Sequence, residues 1–206
     1  MSALLREHAP GRWQALALMG FADEPKPQAQ QALEVLRARG VQVRMISGDN
    51  RAAALAMGAR LGLQATEVLA DVLPGDKAAR VAELKAGLHG HGAVVMVGDG
   101  VNDAPALAAA DVGMAMGTGT DVAMHAAGVT LMRGDVGLVA AALDISHRSV
   151  LKIRQNLFWA FVYNVAGIPL AAMGYLSPVV AGAAMALSSV SVMANALTLK
   201  RWRPPA

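Results

Sequence analysis

The chain has 206 residues and a formal net charge of +3, and 55% of its residues are hydrophobic while 16% are charged. A sequence this apolar and this weakly charged is not intrinsically disordered. Aromatic residues make up 4% of the chain, so the hydrophobic content is mainly aliphatic, which is typical of helices and membrane segments. The sequence contains no cysteine, which excludes disulfides, iron–sulfur clusters, thiolate metal sites and cysteine nucleophiles.

The N-terminal half of the chain has the pattern of an α/β domain. Residues 1–14 show no clear periodicity and are predicted to be irregular, without the apolar core of a secretory leader. Residues 15–142 alternate short apolar runs with amphipathic stretches, which predicts a doubly wound α/β domain. The predicted strands are 15–19, 41–46, 93–97, 112–116 and 129–132, and the predicted helices are 27–39, 50–61 and 77–86.

Polar residues lie just after two of the predicted strands and just before the predicted helix at 77–86. Ligands of open α/β sheets collect at the carboxyl ends of the strands. In the run Ser47-Gly48-Asp49-Asn50, a hydroxyl group and the free N–H groups of a helix N-terminus could hold a phosphoryl oxygen, or Asp49 simply caps the helix. Lys77 lies at the start of the next helix, where a cation is unfavourable unless an anion is near. The alternative is an ordinary solvated lysine behind a capping Asp76.

The predicted strand 93–97 leads into the run GDGVNDAPAL. This run places Asp99, Asn102 and Asp103 in a loop just before a predicted helix start. Carboxylate and amide oxygens are the hard ligands that Mg²⁺ prefers. A loop that only capped a helix would not need both carboxylates, so the pattern favours a Mg²⁺ site.

The C-terminal half has the pattern of a membrane hairpin after a connecting helix at 143–156. No charged residue or histidine occurs in the 43 residues from Leu157 to Leu199, which is enough for two spans of roughly 20 residues each. The predicted spans are 157–176 and 179–199, so the membrane lipid is a predicted partner.

Basic residues flank this hairpin on one side of the membrane. Lys152 and Arg154 precede it, and the tail 200–206 carries three more cations, so the positive-inside rule predicts that the soluble domain and the C-terminus are cytoplasmic. The positive charge is therefore explained by topology. No nucleic-acid partner is expected, because no Lys/Arg run is interleaved with aromatic residues.

Four polar or soft side chains in the spans are candidate metal ligands: Tyr163, Asn164, Met185 and Ser189. Met185 and Ser189 are one helical turn apart and share a face. A thioether sulfur suits copper(I). The alternative is that these side chains only pack or hydrogen-bond between helices.

The run GDGVNDAPAL, with SGDN before it, LPGDK between them and MGTGTD after it, resembles the phosphorylation domain of P-type ATPases, which has a haloacid-dehalogenase-like fold. The runs IRQNLFWAFVYN, GIPLAA and AGAAMALSSVSVMANAL resemble the last two transmembrane helices of the copper(I)-transporting branch. The resemblance extends from about residue 20 to residue 201. It implies ATP-driven copper(I) translocation across a bacterial plasma membrane, with Mg²⁺ and ATP as cofactors and ATP bound mainly by other domains.

The resemblance also implies roles for individual residues. It assigns phosphoryl contacts to Ser47 and Gly48, charge neutralisation to Lys77 and loop orientation to Asn102, with Asp49 in the same catalytic group. It assigns Mg²⁺ binding to Asp99 and Asp103. It places Tyr163, Asn164, Met185 and Ser189 along the copper(I) path, whose ligands do not distinguish copper(I) from silver(I).

The sequence departs from the family pattern at several points. It contains no DKTGT motif and no Cys-Pro-Cys motif, and the segment Asp23–Pro27 resembles the point where the chain re-enters the phosphorylation domain. The expectation is therefore a C-terminal portion that is inactive alone, with an unpaired sheet edge where the nucleophile strand is missing. The alternatives are a half-pump or regulatory subunit that assembles with a separate N-terminal part, and a membrane-tethered phosphatase, which would need a nucleophilic aspartate.

Overall fold

The computed structural model of the protein describes residues 2–19, 24–117, 119–175 and 177–203. Asp23 and Thr118, which belong to the re-entry segment and the MGTGTD motif, lie outside the described residues, as does the end of the predicted tail. The chain divides into two compact units, Met1–Asp135 and Val136–Ala206.

The first unit begins with a two-stranded antiparallel hairpin of β1, Ser2–Ala9, and β2, Arg12–Met19. The prediction of an irregular N-terminus was therefore wrong, and the apolar run at 15–19 does not join the parallel sheet. The reason is the short connection at Pro10-Gly11, where Gly11 adopts a φ of 76° and donates its N–H to Glu7 Oε1 at 3.0 Å. A tight turn of this kind lets neighbouring strands pair directly.

A small parallel sheet follows the hairpin. It consists of β3, Met45–Ile46, and β4, Val68–Leu69, with α1, Ala29–Ala38, and α2, Arg51–Arg60, as its neighbours along the chain. The strand β4 was not predicted, because two residues give no periodicity. Asn50, rather than Asp49, caps α2 by accepting a hydrogen bond from the Ala53 N–H at 3.0 Å.

The helix α3, Lys77–Gly87, leads into a second parallel sheet with the strand order β5-β6-β7. No side-chain capping bond from Asp76 precedes α3. The remaining elements are β5, Val95–Gly98, α4, Ala104–Ala109, β6, Val112–Met116, α5, Asp121–Ala126, and β7, Val129–Leu131. Leu107, Ala115 and Ala123 form the centre of its core. These strands lie within one or two residues of their predicted positions, and β6, the most buried of the three, matches its prediction to the residue.

The two parallel sheets are separate. Among the described strands, β3 pairs only with β4, and β5 pairs only with β6. Within the described ranges, the two-stranded sheet has open edges at β3 and β4, and the three-stranded sheet has open edges at β5 and β7. The gap expected at a missing nucleophile strand stays a prediction, because every open sheet has two edges.

The second unit consists of two long helices. The helix α6, Gly137–Ala172, joins the predicted connecting helix and most of the first predicted span in one element with Pro169 inside it, and α7, Pro178–Leu197, is followed by a 3₁₀ turn at Thr198–Arg201. Within the described residues, Pro178–Arg201 is the one helical stretch long and apolar enough to cross a membrane. The Asn195 side chain links the two helices through Lys152, Gln155 and Asn156.

The carboxylate of Asp111 connects the end of α3 to the start of β5. It lies 2.6 Å from Lys85 Nζ and accepts a hydrogen bond from the Val94 N–H at 2.9 Å. The Lys85 hydrogen bond, helped by the one from Val94, lowers the pKa of Asp111 below its ordinary value of 3.8. A lowered pKa in the folded state stabilises the fold at pH values above 3.8, and this contribution is lost as the pH falls through the folded-state value.

We therefore expect Asp111→Asn to lower the stability of the full chain at neutral pH. The stability difference from the wild type should shrink as the pH falls below 3.8, because the wild-type carboxyl is then neutralised as well. The denaturation midpoint of the detergent-solubilised chain, measured across this pH range, tests the expectation. Glu83→Gln, which removes an exposed ion pair with Arg80, is the matched control and should leave the midpoint nearly unchanged.

Candidate functional site

Asp103 is the one buried charged side chain among the described residues, with 8% of its surface exposed. Its Oδ1 atom accepts a hydrogen bond from Lys77 Nζ at 2.7 Å. Its Oδ2 atom accepts hydrogen bonds from the backbone N–H groups of Asp99 at 3.3 Å and Gly100 at 3.2 Å. Both carboxylate oxygens are therefore engaged, as a buried charge requires.

The glycines of the GDG run let Asp103 approach the backbone this closely. A Cβ atom on Gly98 would lie 2.8 Å from Asp103 Cβ and 2.9 Å from Asp103 Oδ2, which is closer than atoms can pack. The residues Val101–Asp103 form a 3₁₀ turn that continues into α4. Pro105 fits near the start of α4 because a proline there sacrifices no helical hydrogen bond.

Lys77 is the first residue of α3, and its side chain is 17% exposed. The partial positive charge at a helix N-terminus disfavours a cation there, so the sequence predicted that an anion must be near. In the structure that anion is the Asp103 carboxylate. The pair joins the LPGDK and GDGVND motifs directly.

The SGDN loop is held against the segment that follows β4. The Ser47 hydroxyl donates a hydrogen bond to Asp49 Oδ2 at 2.8 Å and accepts one from the Asp49 N–H at 3.1 Å. The Ser47 carbonyl accepts a hydrogen bond from the Val72 N–H at 3.1 Å, and Asp49 O accepts one from the Asp71 N–H at 3.0 Å. A Cβ on Gly48 would lie 3.3 Å from Val72 O, so this close packing also favours glycine. Asp49 thus orients the Ser47 hydroxyl.

The MGTGTD loop touches the opposite side of the GDGVND loop. The Thr120 N–H donates a hydrogen bond to Asp99 O at 3.0 Å. A Cβ atom on Gly119 would overlap Asp99 O, so glycine is required there. The Thr120 side chain caps α5 by accepting a hydrogen bond from the Ala123 N–H at 3.3 Å. The MGTGTD run alone was only weak evidence for a functional loop. The close approach of Gly119 to the Asp99 carbonyl places this run next to the GDGVND loop.

These contacts join three of the motifs directly, because Lys77 pairs with Asp103 and the Asp99 carbonyl bonds to Thr120. The SGDN loop bonds to Asp71 and Val72, just before the LPGDK motif. The ammonium and carboxylate groups therefore meet, and the Ser47 hydroxyl lies in a loop bonded to the segment that leads into Lys77. Such a set can position and neutralise a phosphoryl group.

The two predicted Mg²⁺ ligands, Asp99 and Asp103, differ in how available their carboxylate oxygens are. Asp99 is exposed, and its side chain has no hydrogen-bond partner among the described residues, whereas both Asp103 oxygens are engaged. No cluster of three or more potential metal-ligating His, Cys, Asp or Glu residues occurs in the described ranges. One or two carboxylates suffice for Mg²⁺, because it retains several waters and shares its coordination with phosphate. The donor set fits the ion with Asp99 as the available ligand, and Asn102 is exposed in the same turn.

Among the described residues, no side-chain hydrogen bond across the helices joins the four candidate residues of the second unit. The Asn164 amide donates to Ala160 O at 2.9 Å and the Ser189 hydroxyl to Met185 O at 3.1 Å, each within its own helix. Met185 is 73% exposed, and Tyr163 is partly buried. The Asn195 contacts were not predicted from the sequence, although an amide in an apolar run is a signal for them.

Residues 3–111 match a family model described as a haloacid dehalogenase-like hydrolase. Over 186 residues the chain is 50% identical to the copper-exporting P-type ATPase of Staphylococcus haemolyticus, covering 90% of this chain and 23% of that protein. Over 189 residues it is 51% identical to the probable copper-importing P-type ATPase A of Enterococcus hirae, covering 91% of this chain and 25% of that protein. The chain thus spans about a quarter of the length of these relatives.

Solved structures agree with these matches. A crystal structure of a zinc-transporting PIB-type ATPase in the E2.Pi state has a TM-score of 0.78 and 35% identity, covering 86% of this chain and 28% of that chain. The catalytic domain of the CPx-ATPase CopB-B has a TM-score of 0.51 and 36% identity, covering 57% of this chain and 45% of that chain. The predicted haloacid-dehalogenase-like α/β fold and the resemblance to heavy-metal P-type ATPases are confirmed.

We expect Gly98→Ala to displace the Asp103 carboxylate and to destabilise the full chain by about 1–3 kcal/mol, as overpacking does. The displacement should also release Lys77, which would react faster with an amine-acylating reagent when its modification is followed by mass spectrometry. Gly100→Ala is the matched control, since a Cβ there would lie 3.4 Å from Asp103 Oδ2. Equal effects of the two substitutions would contradict the close-approach argument.

Proposed function

Because the chain belongs to the haloacid dehalogenase-like hydrolase family, we propose that it binds and positions a phosphoryl group as part of a metal-transporting P-type ATPase. The observation that carries the proposal is the ion pair of Lys77 and Asp103, which joins the loops of the site. A structural ion pair would not require the unengaged carboxylate of Asp99 in the same loop, or the oriented hydroxyl of Ser47 in the loop after β3. Both are expected if an anion and a cation bind at these loops.

Each residue has a distinct task in this proposal. When a phosphoryl group binds, the Ser47 hydroxyl turns its one hydrogen from Asp49 Oδ2 to a phosphoryl oxygen and still accepts from the Asp49 N–H. The Gly48 N–H donates to another phosphoryl oxygen. Lys77 supplies positive charge, and Asn102 orients the loop. Asp99 holds Mg²⁺, which neutralises charge on the phosphoryl oxygens when it is bound, and Asp103 fixes the loop and Lys77 or shares the ion. Positioning and electrostatic stabilisation of this kind account for most of the catalysis of phosphoryl transfer.

The nucleophilic aspartate is proposed to come from a strand outside residues 1–206, in the same polypeptide or in another. The unpaired edges of β3 and β5 support this idea, because parallel strands offer their backbone groups to a further strand. The loops after β3 and β5 carry Ser47 and Asp99. A strand inserted between them would bring its carboxyl end, and a residue there, to the same group of side chains.

The transported ion is proposed to be copper(I). Met185 supplies a soft thioether ligand, and Tyr163, Asn164 and Ser189 supply oxygen or polar groups on the same pair of helices. The named copper-transporting relatives support this choice. The basic residues that flank the helices support a cytoplasmic location of the soluble unit and the C-terminus, in a bacterial plasma membrane.

The phosphoryl role can be tested in a chimera in which this chain replaces the matching quarter of the Staphylococcus haemolyticus relative. We expect Lys77→Gln and Asp99→Asn each to lower copper-stimulated ATPase activity by about 10²-fold or more, as loss of an electrostatic group in an active site does. Arg80→Gln, which removes an exposed cation from the same helix, is the matched control and should retain activity. Equal losses in the control and in Lys77→Gln would contradict the assignment.

The chain by itself is expected to show neither ATPase activity nor turnover of a phosphate ester, because it contains no DKTGT motif. Turnover of p-nitrophenyl phosphate that is abolished by Asp99→Asn would favour the phosphatase alternative and refute this expectation.

The metal role is tested in the same chimera by Met185→Ala. We expect lower copper(I) transport into vesicles and weaker copper(I) binding, since the thioether is lost. Met193→Ala is the matched control, because Met193 is also exposed on α7 and is not a proposed ligand. Unchanged transport in Met185→Ala would remove Met185 from the copper path without affecting the phosphoryl site.

A further inference from the structure

A cavity of about 350 Å³ lies within the second unit, between α6 and the turn that ends α7. Its lining includes Arg148, Lys152 and Arg201 together with Leu151, Leu199 and Trp202, and no carboxylate among the described residues. The cavity therefore combines positive charge with apolar walls, and neither the phosphoryl site nor the proposed copper path uses it.

Two of the three cations have no carboxylate partner among the described residues. Arg148 pairs with Asp144, which lies 2.8 Å from its Nε atom. Lys152 instead donates to the neutral amide oxygen of Asn195 at 2.8 Å, and Arg201 is exposed without an ion pair in the described part of the chain. The cavity thus presents a net positive charge of two.

Trp202 fixes the shape of the cavity. Its Nε1–H donates a hydrogen bond to Asp144 Oδ2 at 2.6 Å, which ties the segment after α7 to α6. Tryptophan, lysine and arginine are the residues that anchor helices at the membrane–water interface. The apolar stretch Pro178–Arg201 ends at this point, so the cavity lies at the level of lipid headgroups if that stretch spans the membrane.

We propose that this cavity binds the headgroup of an anionic phospholipid, with the phosphate between Lys152 and Arg201. Guanidinium and ammonium groups are the usual partners of phosphate oxygens. Leu151 and Leu199 provide contacts for the adjoining glycerol and acyl carbons, which a soluble anion would not use. Basic pockets between membrane helices on the cytoplasmic side are known to suit such headgroups. The proposal depends on membrane insertion of α7 and not on the phosphoryl site.

The test uses the full chain with Trp13 and Trp159 replaced by phenylalanine, so that Trp202 is the one tryptophan left in the sequence. The chain is reconstituted into phosphatidylcholine vesicles that contain increasing fractions of dibrominated phosphatidylglycerol or dibrominated phosphatidylcholine. At a salt concentration of about 1 M the Debye length is about 3 Å, which suppresses the general attraction between anionic lipid and exposed basic residues. We expect phosphatidylglycerol to quench Trp202 at an about 25-fold lower fraction, since each of the two cations contributes about fivefold to anionic lipid binding.

Lys152→Gln with Arg201→Gln should abolish the preference for phosphatidylglycerol, and Lys152→Arg with Arg201→Lys should retain it. Lys200→Gln with Arg203→Gln is the matched control, because it removes two neighbouring cations that do not line the cavity. No preference in the unsubstituted chain, or an equal loss in the control pair, would overturn the proposal. Reversal of the quenching by inorganic phosphate would also overturn it, since it would identify a soluble-anion site.

Discussion

The buried carboxylate of Asp103 holds the site together. It accepts hydrogen bonds from Lys77 and from two backbone N–H groups of its own loop, so it fixes the start of α3 and the end of β5 at once. Removing one partner of a buried charge pair costs on the order of 3–5 kcal/mol, because the other charge is left uncompensated. The same contacts explain why Gly98 has no side chain and why Asp99 is left with an open carboxylate. The two aspartates of the loop differ in role because they differ in burial. Asp103 is buried and organises the loop, whereas Asp99 is exposed to solvent.

The division of the α/β unit into two parallel sheets has a related consequence. The strands β3 and β4 pair with each other, and β5 pairs with β6, but no described strand joins the two sheets. The segment after β4 bonds to the SGDN loop through Asp71 and Val72 and then reaches the GDGVND loop through Lys77. An arrangement of this kind keeps the polar groups together while the strand edges stay available for a further strand.

Sequence reasoning leaves the roles of the site residues as predictions, whereas it placed some local features correctly. From the position of Lys77 at a helix start it predicted an anion nearby, which is Asp103, and from the apolar run at 112–116 it predicted β6 to the residue, because continuous burial leaves a clear apolar signal. It misassigned the cap of α2 because aspartate and asparagine cap equally well. The Ser47 hydroxyl donates a hydrogen bond to the Asp49 carboxylate, so Asn50 and not Asp49 caps the helix. The contacts of Gly98 and Gly119 also depend on distant backbone, which no local pattern encodes.

The second unit contains two kinds of polar side chain, which differ in the partners they use. Asn164 and Ser189 bond to carbonyl groups of their own helices, so each helix satisfies them without its neighbour. Asn195 instead bonds across to α6 and fixes the two helices at one end. A side chain that is satisfied by its own helix can exchange that bond for another ligand without unpacking the helices, whereas a cross-helix amide cannot. The helix pair is therefore held together at its charged end, and the residues proposed to meet copper(I) lie where a change of partner costs the least packing.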